Sequence, residues 1–103
     1  MSVERTATLR IAIVGGISRS EHDYRAVAEQ CGVEIAFHSG DVRGHKSAAL
    51  VEIVARSDVV IVLTDVNSHG AMWLARRTAR RFGRRIELHR RFSPSRLAAR
   101  MAA

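Results

Sequence analysis

Hydrophobic and polar positions alternate between two periods along this chain. Leu9 to Val14 is apolar throughout except at Arg10, Val33 to Phe37 is a second such run, broken at Glu34, and Val59 to Leu63 is a third. Runs of this length read as buried strands. A shorter fourth strand is predicted over Arg85 to His89. The intervening segments carry helical spacing instead. Ser20 is placed to cap a helix reaching about Cys31, with Asp23 as the acid of a capping box and Gly32 as the stop. A second helix is expected over Lys46 to Arg56, with Ala49, Leu50, Ile53 and Val54 at core spacing. The third runs from His69 to Phe82 and ends at Gly83, and Ser93 with Pro94 opens a fourth.

Four strands alternating with four helices imply an α/β fold. The expectation is one three-layer domain over residues 1–103, with a four-stranded parallel sheet in the order 2-1-3-4 and helices on both faces. This is half of a doubly wound, Rossmann-like nucleotide-binding fold. Residues 1–7 read as a frayed end. In such folds ligands sit at the carboxyl ends of the strands, where neighbouring crossovers leave in opposite directions. That rule selects the loop after the first strand, with Gly15, Gly16 and Ser18, and the loop after the third, with Asp65, Ser68 and His69. The second strand delivers His38 to the same edge.

Composition narrows the setting. With 47% hydrophobic and 26% charged residues the chain is an ordinary globular sequence. A lone cysteine, Cys31, forms no internal disulfide and is expected to be a small buried hydrophobe. The absence of a signal-peptide core and of any membrane-length apolar run points to a soluble, cytoplasmic protein. The net charge is +7, and sixteen of the 17 basic residues are arginine, nine of them between Arg76 and Arg96. Arginine suits bidentate recognition of carboxylate and phosphate; a coding bias toward arginine accounts for the excess equally well.

Projection of the third helix puts Met72, Ala75, Ala79 and Phe82 on the face toward the sheet. Trp73 falls about 100° away, among Arg76, Arg77 and Arg80. The chain's only tryptophan therefore lies on a basic face, as in a dimer interface, a ligand wall or a nucleic-acid stacking platform.

Several chemistries are demoted. Gly40 to Ser47 has the wrong spacing for a phosphate-binding P-loop, and Gly15-Gly16 lacks the third glycine of a dinucleotide fingerprint. Asp65, His38 and His69 could make a two-histidine, one-carboxylate metal set, although a carboxylate before a helix is also favoured by the helix dipole. His22, His45 and His89 read as surface residues. Nothing in the sequence requires catalysis.

Gly15-Gly16 after the first strand, His38 followed by Ser39-Gly40, the stretch Thr-Asp-x-x-Ser-His-x-Ala-Met at Thr64 to Met72, and a basic helix leading to a short strand together resemble the bacterial domain of unknown function 2325. The Ser68-His69 pair is the most specific part. Members often carry a cysteine where this chain has Val66, so thiol chemistry is not implied. The resemblance implies a small α/β domain, a homodimer, and, through some relatives, haem and dioxygen binding with gas binding or sensing as its use.

The residues supply what haem requires: a histidine axial ligand, an apolar wall and cations for the propionates. His38 and His69 are the candidate ligands, Met72 and Trp73 the wall, and Arg76, Arg77 and Arg80 the propionate partners. A group of that size beside so short a chain implies a pocket shared across a dimer. The competing class is nucleic-acid or phosphate-ligand binding along the arginine-rich third helix, the columns Arg76/Arg80 and Arg77/Arg81 forming a cationic stripe.

Overall fold

The computed structural model describes residues 8–15, 18–65 and 69–102. Within them the element order is β1 (Arg10–Val14), α1 (Ser18–Cys31), β2 (Glu34–His38), α2 (Lys46–Ala55), β3 (Val59–Leu63), α3 (His69–Phe82), β4 (Arg85–His89) and α4 (Pro94–Ala102). The strands form one parallel sheet ordered β2-β1-β3-β4. The expected fold class and strand order are what the chain adopts. The proposed frayed segment, residues 1–7, lies outside the described residues.

The continuous apolar runs are explained by layers on both sides of the sheet. Ala12, Val14, Val60 and Val62 pack under α2 and α3 against Leu50, Val54, Ala71, Ala75 and Ala79. The alternate residues Ile11, Ile13, Val59, Ile61 and Leu63 face the opposite side and meet Tyr24 of α1 and Leu97 of α4. Because successive strand side chains point to opposite faces, a strand covered twice has no polar position to spare. The edge strands differ: β2 opens with exposed Glu34, and β4 carries Arg85 and Glu87. Charge on an edge discourages pairing with a further strand.

Local signals set most element ends. Gly83 takes φ 66°, and the N–H of Arg84 reaches the carbonyl of Ala79 at 2.7 Å, closing α3. The Ser93 hydroxyl accepts the N–H of Arg96 at 3.1 Å and caps α4.

Four expectations need correction. The α1 helix begins at Ser18, so Ser20 sits in its first turn rather than at its cap; two serines two residues apart offered competing starts. Cys31 is exposed, because the stripe through Tyr24 and Ala28 that packs on the sheet ends one turn earlier. Ala49 is exposed, since Leu50 and Val54 carry the buried stripe of α2. Phe82, at the end of α3, is 41% exposed with the Arg81 guanidinium 5.4 Å from its ring centre, while Thr78 takes an inward place.

Candidate functional site: the carboxyl edge and the outer ridge of α3

At the carboxyl edge, β1 and β2 are laced together, and so are β3 and β4. Gly15 adopts φ 89° and donates its N–H to the His38 carbonyl at 2.8 Å; the N–H of Thr64 reaches the His89 carbonyl at 2.7 Å. The reversal of strand order falls between β1 and β3, where α1 and α3 leave for opposite faces. His38, Gly15, Asp65 and His69 thus share one end of the sheet. Gly16 and Ser68 lie outside the described residues, as does the side chain of Ser18.

Sharing an edge does not aim these side chains at one point. His38 is buried, 8% exposed. Its Nδ1 accepts the N–H of Gly40 at 3.0 Å, and its Nε2 lies 2.9 Å from the Lys46 carbonyl. A carbonyl only accepts, so Nε2 carries the proton and Nδ1 is bare. Both ring nitrogens are engaged, and ligation of iron by His38 would require breaking one of these bonds.

The loop beyond His38 is organised internally. Asp41 accepts the backbone N–H and the Nε of Arg43, each at 3.0 Å, and the Nζ of Lys46 at 3.0 Å. The Arg43 guanidinium, with that backbone bond and Lys46, holds the Asp41 carboxyl well below the usual carboxylate range. Lys46 thus pairs with Asp41 within the loop.

Asp65 turns toward the loop after β4, its carboxylate oxygens 3.7 Å from Nε of Arg90 and of Arg91. The metal set of Asp65, His38 and His69 is not assembled: among the described residues no three His, Cys, Asp or Glu side chains converge to hold an ion. The reason is orientation, His38 facing inward to α2 and Asp65 facing the arginines.

What the fold does gather lies on α3. Ala71, Ala75, Thr78 and Ala79 are buried toward the sheet, and Met72 packs half-buried at the margin of that core. On the opposite face His69, Trp73, Arg76 and Arg80 follow one another at i, i+4, i+7 and i+11, all exposed, with Arg77 and Arg81 alongside. A rise of 1.5 Å per residue puts Trp73 about 6 Å and Arg76 about 10 Å from His69 along the axis. Trp73 is 67% exposed. Met72 is therefore a core-margin residue and does not stand with Trp73 on this ridge.

The ridge is electrostatically uncompensated. Elsewhere arginines meet carboxylates, as in Arg10 with Glu34, Arg25 with Glu21, Arg56 with Glu52 and Arg100 with Glu87. The α3 helix contains no acid, and among the described residues Arg76, Arg77, Arg80 and Arg81 have no ion pair. His69 likewise has no hydrogen-bond partner there, so its imidazole is free to bind.

Two features escaped the sequence reading. Leu88 on β4 is 46% exposed although it shares a sheet face with Ile86, which joins the core. Glu87 is a hub, gripped by Arg100 from α4 at 2.7 Å and flanked by Arg85 and His89 at 3.1 Å. Its partner is 13 residues away on another element, beyond the reach of any local pattern.

Among the described residues no helix is long and apolar enough to cross a membrane. No solved structure matches the chain. Similar proteins include a UPF0751 protein of Desulfitobacterium hafniense strain Y51, 28% identical over 78 residues and covering 76% of each chain. A second from that strain is 34% identical over 74 residues, 71% of this chain and 72% of its own. A third, from strain DSM 10664 / DCB-2, matches to the same extent. The family model described as uncharacterized protein conserved in bacteria (DUF2325) matches residues 10–103, and the chain belongs to that family.

Proposed function

We propose that the outer ridge of α3 is a ligand-binding face, and that its ligand is haem. The observation that carries this reading is the series His69, Trp73, Arg76 and Arg80 on one helix face, all exposed and without an ion pair among the described residues. A free imidazole can ligate iron, an exposed indole can lie against a flat macrocycle, and arginines one to two turns on can fork to carboxylates. A ligand that is planar, anionic and iron-bearing uses all three in that order. Bound there, haem would supply an iron centre for a small gas, and a gas-binding or sensing role follows. His38 is the weaker axial candidate, since both its nitrogens are engaged.

A ligand on so open a ridge keeps one face in water unless a second copy covers it. A homodimer that closes over α3 is therefore part of the proposal. Titration of the purified chain with haemin tests it: a saturable Soret shift that His69→Ala abolishes and His38→Gln leaves is expected. Absence of a saturable shift, or an unchanged one in His69→Ala, would sink the reading.

Nucleic acid is the second reading, favoured by the four arginines of α3 that lack carboxylate partners around an exposed Trp73. Such a face contacts phosphates while the indole stacks on a base. Quenching of the single tryptophan by oligo-dT, falling steeply with salt, is its signature; no quenching at low salt would remove it.

A further inference from the structure

Beside the ridge, α2 and α3 leave a groove of about 360 Å³, lined by Val51 of α2 and by Leu74, Thr78, Phe82, Arg77, Arg80 and Arg81 of α3. Its α2 wall is apolar and uncharged. Val51, half-buried, is the residue of α2 that lines it. The one acid of α2, Glu52, is bound to Arg56 at 3.1 Å. The opposite rim is cationic: α3 contains no acid, and among the described residues Arg77, Arg80 and Arg81 make no ion pair. The groove is thus asymmetric: apolar on its α2 wall and floor, arginine along its α3 rim.

We infer that this groove docks an amphipathic helix of a partner protein, with acidic residues along one flank only. Apolar side chains at i, i+3, i+4 and i+7 would fill the space over Val51, Leu74 and Phe82, as in other helix-in-groove complexes. Glutamates or aspartates on the flank facing α3 would pair with Arg77 and Arg81, which also fixes which way round the helix lies. A second copy of this chain is disfavoured in the groove itself, since it would set the same arginines against one another with no anion between them, unlike a dimer closed over a ligand whose carboxylates separate the two ridges. Nucleic acid uses the rim but leaves the apolar lining of Val51 and Leu74 without a role. The groove shares Arg80 with the outer ridge on which the haem reading rests but contains neither His69 nor Trp73, so His69→Ala separates the two.

Fluorescence anisotropy of the full chain with two labelled peptides tests it. Both carry leucines at i, i+3, i+4 and i+7; one has glutamates on a flank and the other lysines. The acidic peptide is expected to bind saturably, and the basic one about tenfold or more weaker. Arg77→Glu with Arg81→Glu should weaken the acidic peptide roughly tenfold, as should added salt. Val51→Asn, a neutral polar change at the half-buried α2 residue that lines the groove, should weaken it by removing the apolar wall, whereas His69→Ala should leave it unchanged. Circular dichroism confirms that each variant is folded. No saturable binding of the acidic peptide, equal binding of both peptides, or oligo-dT binding that uses the arginines and ignores Val51→Asn would overturn the proposal.

Discussion

The imidazole of His38 spans from the end of β2 to the first residue of α2, its Nε2 2.9 Å from the Lys46 carbonyl while its Nδ1 takes the N–H of Gly40. This ring closes the β2–α2 loop on itself. His38→Ala removes both bonds and the buried ring that makes them, so a loss of roughly 1–3 kcal/mol is expected. The matching substitution His69→Ala, at an exposed and unpartnered position, should change stability by no more than about 0.5 kcal/mol. Urea denaturation of the two variants checks the contrast; equal losses would mean that His38 is not the loop's fastener.

The difference between these histidines marks what the sequence could reveal. Placement was legible: parallel strands covered on both faces read as apolar runs, and β3, α3 and β4 begin and end where the pattern puts them. Topology then follows from alternation and puts both histidines at one edge. Orientation was not legible. Nothing in His38-Ser39-Gly40 says that the ring turns back onto Lys46 rather than outward, because that choice depends on α2 docking above it. The turn of Asp65 toward Arg90 and Arg91, and the grip of Arg100 on Glu87, likewise depend on tertiary packing. The exposed Trp73 was legible, because helical projection alone separates it from Ala75 and Ala79.

Trp73 contributes little to the folded state of a single chain, being 67% exposed. Trp73→Ala should therefore leave stability within about 0.5 kcal/mol while weakening whatever binds the α3 ridge. Thermal melting with haemin and oligo-dT titrations, run side by side, makes the comparison. A large drop in melting temperature without ligand would instead place the indole in a buried contact.

Glu87 links stability to pH. Burial pushes its carboxyl up, but hydrogen bonds from His89 and Arg100 and the charges of Arg100 and Arg85 outweigh this and hold it below its ordinary value of 4.5. A carboxyl depressed on folding stabilises the protein where it is ionised. That contribution is present in full above the ordinary value and fades as pH falls through it. Glu87→Gln should thus cost about 1–3 kcal/mol at neutral pH, with the gap to the parent closing below pH 4.5. Denaturation at several pH values reads this directly; a gap independent of pH would show that packing, not charge, is what the substitution removes.

Arg84 ties the lower ends of the two groove helices together. Its Nη2 donates to the carbonyl of Ala55 at 2.6 Å, satisfying a terminal carbonyl of α2 and placing a cation at the negative end of that helix. Its Nε is buried with no hydrogen-bond partner among the described residues, so the guanidinium also carries a desolvation cost. The two effects can be separated by substitution. Arg84→Met keeps the apolar stem but loses the donor, leaving the Ala55 carbonyl without it, and should destabilise by about 1–3 kcal/mol. Arg84→Lys keeps a cation able to reach that carbonyl and has no buried Nε to leave unpaired. It should therefore recover most of what Arg84→Met loses. Hydrogen exchange should locate the Arg84→Met effect at the last turn of α2, where the Arg56 N–H bonds to the Glu52 carbonyl at 3.1 Å. If Arg84→Lys is as unstable as Arg84→Met, the planar fork rather than the charge secures α2 to α3.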